Sequence, residues 1–157
     1  GRLLVAKEKH PAALVVFCPP GTSPRGLSAD DFLGPDEEWL SPEGATEFVA
    51  TSVWQLRGRA KKGLRDVSAL ALGPGHTLWL LSDKSRSIAR LSLDPPLAPG
   101  KGEIRELAEE WRHPKGTTKP EGVAIIDDDR VLVAMDTKSR HDNGILIERP
   151  RPESAHD

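Results

Sequence analysis

Asp66-Val-Ser-Ala-Leu-Ala-Leu-Gly-Pro-Gly-His-Thr-Leu-Trp-Leu-Leu-Ser-Asp83 is followed by a second version of itself, Pro120-Glu-Gly-Val-Ala-Ile-Ile-Asp-Asp-Asp-Arg-Val-Leu-Val-Ala-Met-Asp136. From Asp83 to Asp136 is 53 residues and from Val67 to Glu121 is 54, a one-residue difference taken up at the turn. A period near 50 is about the length of one β-propeller blade. The repeat therefore predicts an all-β fold and says little about chemistry.

Each copy reads as three strands. Ala69-Leu-Ala-Leu72, the breaker Gly73-Pro-Gly75 and Leu78-Trp-Leu-Leu81 match Val123-Ala-Ile-Ile126, Asp127-Asp-Asp129 and Val131-Leu-Val-Ala134. Runs of four apolar residues bounded by Gly, Pro and Asp are expected of strands buried on both faces. A third strand follows in both, Ile88-Ala-Arg-Leu-Ser-Leu93 after Asp83-Lys-Ser-Arg86, and Gly144-Ile-Leu-Ile147 after Asp136-Thr-Lys-Ser-Arg140 and the turn His141-Asp-Asn143.

A clipped third copy opens the chain. Leu3-Leu-Val-Ala6, Glu8, a basic turn and Ala13-Leu-Val-Val-Phe17 repeat the order, with Glu8 in the place of Asp83 and Asp136. Glu47 to Arg57 alternates, with Phe48, Ala50, Ser52, Trp54 and Leu56 on one side, and is expected as the outer strand of the first blade. Ile104, Leu107 and Trp111 fit helical spacing, while the repeat calls for the outer strand of the second blade over Ile104 to Trp111; the strand is favoured. Cys18 to Gly26 reads as a loop, Ser28-Ala-Asp-Asp31 as a capped helical turn, and Arg57 to Gly63 as a basic loop. The expected organisation is a partial β-propeller over 1–148, with blade repeats near 1–57, 66–111 and 119–148, and a polar tail over 149–157.

Composition suits a single domain. Among 157 residues, 22 basic and 24 acidic ones leave a net charge of −2, which gives no field to attract nucleic acid or a membrane surface. No apolar run approaches the roughly 20 residues of a membrane span. With four Trp, three Phe and no Tyr, the core must come from Leu, Val, Ile and Ala. The single Cys18 excludes an intrachain disulfide.

Three short motifs carry a family resemblance. Asp66-Val-Ser-Ala-Leu70, Leu78-Trp-Leu-Leu-Ser-Asp83 and Pro120-Glu-Gly-Val-Ala124 resemble recurring signatures of the SdiA-regulated family, with Ala69 where that family usually has Gly. The family is related to phytase-like esterases and, more loosely, to six-bladed calcium-dependent propellers of the gluconolactonase type. The resemblance implies a closed ring of blades, of which this chain holds two and a half to three, and a periplasmic setting. An open array leaves apolar faces uncovered at its ends. Missing blades of a longer protein, or a second copy of the chain, are expected to close the ring; the longer protein is favoured.

The candidate site is acidic. If the inner strands begin at Asp66 and near Pro120, then Asp66 and Glu121 lie at the mouth of the channel, where oxygen ligands could hold Ca²⁺. The plainer role for both is to cap strand ends and accept amide hydrogen bonds. The resemblance to calcium-dependent propellers supports Glu121 in particular. Glu8, Asp83 and Asp136 form a second ring of equivalent acids, expected to bind turn amides and neighbouring cations. Asp127-Asp-Asp129 is expected as a solvated hairpin tip. Pro42-Glu-Gly44 echoes Pro120-Glu-Gly122, but a cap by Ser41 explains it.

Other chemistry finds no support in the sequence. The five His residues show no His-x-x-x-His spacing, and nucleophile-elbow, Walker A and dinucleotide motifs are absent. Ser68, Ser82 and Ser85 have no His placed to activate them, and Cys18 reads as an inert thiol. Two functions remain open. One is a propeller binding a small-molecule ligand, a cation or a protein partner. The other is a Ca²⁺-dependent hydrolase of phosphoesters, esters or lactones, with Asp66 and Glu121 holding the ion.

Overall fold

The computed structural model describes residues 2–9, 11–33, 36–38, 47–57, 64–105, 107, 109–113, 119–138 and 143–148. The strands are β1 (Leu3–Lys7), β2 (Ala13–Cys18), β3 (Val49–Leu56), β4 (Ala69–Gly73), β5 (Thr77–Ser82), β6 (Ser87–Ser92), β7 (Lys101–Ile104), β8 (Glu109–Arg112), β9 (Pro120–Ile125), β10 (Arg130–Met135) and β11 (Gly144–Glu148). One 3-10 turn, Ala29–Asp31, is the sole helical element among the described residues. The Pro42-Glu-Gly44 segment, most of the basic loop, the His141 turn and the tail over 149–157 lie outside the described residues.

The strands form three small sheets. Sheet I has the order β1-β2-β3-β7, sheet II β4-β5-β6-β8 and sheet III β9-β10-β11. Every pairing is antiparallel except β3 with β7, which is parallel. β4 of sheet II and β9 of sheet III lie against each other.

The outer strands differ from expectation in two ways. β3 is not the edge of sheet I, because β7 adds outside it: the Val53 and Arg57 amides donate to the Gly100 and Ile104 carbonyls at 2.9 and 2.7 Å. The stretch from Ile104 to Trp111 is accordingly split. Its start belongs to sheet I through β7 and its end to sheet II through β8, so the chain crosses from one sheet to the other and back. This crossover is pinned by side chains: the Trp54 indole donates to the Ala98 carbonyl at 3.0 Å, and the Ser52 hydroxyl accepts from the Gly100 amide and donates to the Arg25 carbonyl. Leu27 and Leu97 close a small bridge beside it, where a Cβ on Gly26 would stand 2.1 Å from the Leu97 carbonyl oxygen.

β3 also slips. The pairing with β2 shifts between Val16 and Phe17, leaving Thr51 as an extra residue. Ser52, Trp54 and Leu56 keep the core side as predicted, but Val49 and Ala50, beyond the bulge, are both exposed.

Two cores separate the sheets. Leu14, Val16, Trp54, Leu56 and Ile104 from sheet I meet Leu78, Leu80, Ala89 and Leu91 from sheet II. Trp79, Leu81, Ile88 and Trp111 on the other face of sheet II meet Val131, Val133 and Ile147 of sheet III. Trp79 stands edge-on to Trp111 with ring centroids 5.2 Å apart, and the Arg90 guanidinium lies 5.2 Å from the Trp79 ring centroid. Gly73 gives Trp79 its room, since a Cβ there would stand 2.5 Å from the indole nitrogen.

Burial on both faces, expected for both twin strands, holds for β5 alone. Leu78 to Leu81 are all buried because sheet II has a neighbour on either side. In β10, Val131 and Val133 are buried while Leu132 and Ala134 are exposed, because sheet III is covered on one face.

Candidate functional site

Asp66 precedes β4 and is buried, 3% exposed, beneath the turn between β5 and β6. Its Oδ1 accepts the Ser82 hydroxyl, and its two oxygens accept the Lys84 amide at 3.1 and 3.3 Å. Ser82 in turn accepts the Ser85 amide at 3.1 Å, and the Ser85 hydroxyl accepts the Arg65 amide at 2.9 Å. A buried carboxylate needs such donors, and a tight turn needs acceptors for its inward amides. The network also holds Arg86 in the left-handed region at φ 52°, a conformation that a side chain makes costly.

His113 completes this corner. Its amide donates to the Arg86 carbonyl at 3.3 Å, and its Nε2 lies 3.4 Å from the Ser82 carbonyl oxygen. Its Nδ1 has no hydrogen-bond partner among the described residues. Burial lowers its pKa from the ordinary 6.5; the Ser82 carbonyl opposes this, Arg86 adds to the lowering and Asp83 opposes it. Asp66, Ser82 and His113 thus stand together without forming a nucleophilic triad. The ring addresses the Ser82 carbonyl and not its hydroxyl, and Ser82 is wholly buried.

Glu121 stands in a different environment. Ala134 pairs with Gly122 and Met135 with Pro120, so Glu121 is the extra residue of a β-bulge, exposed and without a partner among the described residues. Bulges commonly re-aim a side chain. In the repeat register Glu121 corresponds to Val67, and Asp66 corresponds to the buried Pro120. One carboxylate is turned inward and spent on amides, while the other is turned outward alone.

Ca²⁺ takes six to eight oxygens, and the described residues do not assemble them. Among these residues no group of three or more His, Cys, Asp or Glu is placed to hold a metal ion. Asp66 is committed to the turn, which leaves Glu121 as the available ligand of the pair. The ring of equivalent acids is not uniform either. Asp136 is exposed and its carboxylate lies 3.4 Å from Lys119 Nζ, while its amide donates to the Lys119 carbonyl at 2.9 Å. Asp127 forms an exposed pair with Arg130 and accepts the Asp129 amide, as a solvated hairpin tip should.

A cavity that can take a ligand lies elsewhere among the described residues, between the start of β1 and the 3-10 turn. It measures about 190 Å³ and is lined by Leu3, Leu4, Val16, Leu27, Phe32 and Leu33, with Arg2 and Asp31 at its polar edge. The Arg2 guanidinium pairs with Asp31 and also donates to the Gly26 carbonyl at 3.2 Å. Asp31 accepts the Ser28 amide at 2.8 Å, which fixes the turn that carries Phe32.

This chain matches no family model, no curated protein and no solved structure. Its function must be argued from its own residues.

The sequence flagged the Ser28 turn but not the cavity. Arg2 meets Asp31 across 29 residues, and no local pattern encodes that pairing. His113 was likewise one of five scattered histidines until the fold brought it to Ser82. Cys18 is buried and approaches the Thr51 hydroxyl at 3.5 Å, in keeping with an inert thiol.

Proposed function

We propose that the chain forms consecutive blades of a β-propeller and binds a small, mainly apolar ligand with one polar end in the cavity beside Arg2, Asp31 and Phe32. The propeller reading rests on three stacked sheets, two of which meet through β4 and β9, and it agrees with the resemblance to SdiA-regulated proteins. The ligand reading rests on the cavity. Six apolar side chains line it and a single ion pair marks its edge, the composition of a small-molecule site. An apolar cavity of about 150 Å³ is enough to admit benzene.

Six-carbon probes test this directly. Hexanoate, hexylamine and hexanol are titrated against the chain, with thermal unfolding as readout. At least one should raise the midpoint by mass action, and Leu4→Phe, which fills the cavity, should abolish that rise. If no probe shifts the midpoint at millimolar concentration, the ligand reading is wrong.

A second reading keeps one observation in its favour. Glu121, bulged, exposed and without a partner among the described residues, can meet a cation. A Ca²⁺-dependent hydrolase built on it would draw its other ligands from outside the described residues, because Asp66 has its oxygens engaged.

A further inference from the structure

Among the described residues, sheets I and III each leave one apolar face bare. On sheet III, Leu132 stands between Ala124 and Leu146 across the strands, with Gly122, Ala134 and Gly144 as a flat row beside it. Leu132 and Leu146 are 42% and 50% exposed. On sheet I, Val5 pairs with Val15 and Val15 with Val53, while Leu3 pairs with Phe17. Val5 is 43% exposed.

The repeat says what kind of surface covers each. Setting Asp83 on Asp136 puts Trp79 and Leu81 in the places of Leu132 and Ala134, and Leu78 and Leu80 in those of Val131 and Val133. Inside the chain, the Trp79 and Leu81 face is covered by the Val131 and Val133 face. Glu8 set on Asp83 puts Leu3 and Val5 in the places of Leu78 and Leu80. The bare face of sheet III is therefore of the kind that receives, and the bare face of sheet I of the kind that fills it. The same chain carries both halves of a contact it already makes internally.

We propose that two copies of the chain associate head to tail, the Leu132 and Leu146 face of sheet III in one copy packing on the Val5, Val15 and Val53 face of sheet I in the other. Each copy supplies both faces, so two identical contacts related by a twofold axis close a ring of six sheets. A heterologous contact that closes consumes every bare face, whereas a pairing of like faces would leave the other kind open.

Light scattering on the 157-residue chain should give twice its 17.1 kDa. Leu132→Glu with Leu146→Glu should be monomeric, and Val5→Lys, at the opposite face, should be monomeric as well. These positions are exposed, and an unchanged denaturation midpoint for the monomeric variants, measured against the wild-type chain at low concentration, confirms that they fold. Mixing the two variants should restore a pair through the one intact contact, dissociating at least about tenfold more readily than the wild type. A monomeric wild type overturns the proposal, as would continued dimerisation of Val5→Lys, which would mean that like faces pair. An intermolecular disulfide between Val5→Cys and Leu132→Cys chains adds a readout independent of those charges, and a 132-to-132 link in its place counts against the head-to-tail arrangement. Val5 does not line the ligand cavity, so failure here and failure of the ligand reading are separable.

Discussion

Asp66 and Ser82, sixteen residues apart, share a hydrogen bond that is buried at both ends, and the Lys84 and Ser85 amides join it from the following turn. The carboxylate takes the plainer of its two expected roles, accepting amide hydrogen bonds at a strand connection. The Ser82 hydroxyl and the Lys84 amide both donate to it.

Replacing that carboxylate should be expensive. Asp66→Ala strands the Ser82 hydroxyl and the Lys84 amide without an acceptor, and a loss of about 2–3 kcal/mol is expected. Chemical denaturation measures it, with the slope unchanged if only stability moves. Asp136→Ala, at an exposed lysine pair, should cost under about 0.5 kcal/mol. Equal losses for the two would contradict the distinction between buried and exposed acids.

Gly73 and Trp79 should be energetically coupled. Gly73→Ala places a methyl 2.5 Å from the indole nitrogen and 3.1 Å from an Ile125 methyl, so a loss of about 1–3 kcal/mol is expected. Trp79→Phe removes the nearer obstacle while costing stability of its own. A double-mutant cycle should then show the pair losing less than the sum, and strict additivity would show that the two residues do not interfere.

His113 should make stability depend on pH below neutrality. Its folded-state pKa lies below the unfolded 6.5, so between the two values the unfolded chain binds the extra proton. Stability therefore rises with pH through that window and is complete above 6.5. The wild type should lose stability from pH 7 to pH 5.5, and His113→Gln should show a flatter profile over the same range. Identical profiles would mean that another group carries the dependence.

Calcium separates the two functional readings. If Asp66 is committed and Glu121 stands alone, Ca²⁺ at a few millimolar should leave the unfolding midpoint of the chain unchanged, because only a bound ion stabilises by mass action. A rise that Glu121→Gln removes would establish Glu121 as a ligand and favour the hydrolase.

The sequence by itself determined the number, order and approximate limits of most strands. Strand identity is local: the runs at Leu78 and Val131 are apolar, their turns carry Gly, Pro or Asp, and the spacing repeats. It also put Asp83 in register with Asp136, an acid just after the second strand of each copy. Only the tertiary structure decided that Asp66 is spent inward while Glu121 is bulged outward. That outcome depends on cross-strand register, in which a single extra residue reverses facing. Only it placed β7 outside β3, split the Ile104 to Trp111 stretch between two sheets, and brought Arg2 to Asp31 beside Phe32. Each of these joins residues far apart in sequence, and a pairing of that kind leaves no periodicity in either partner.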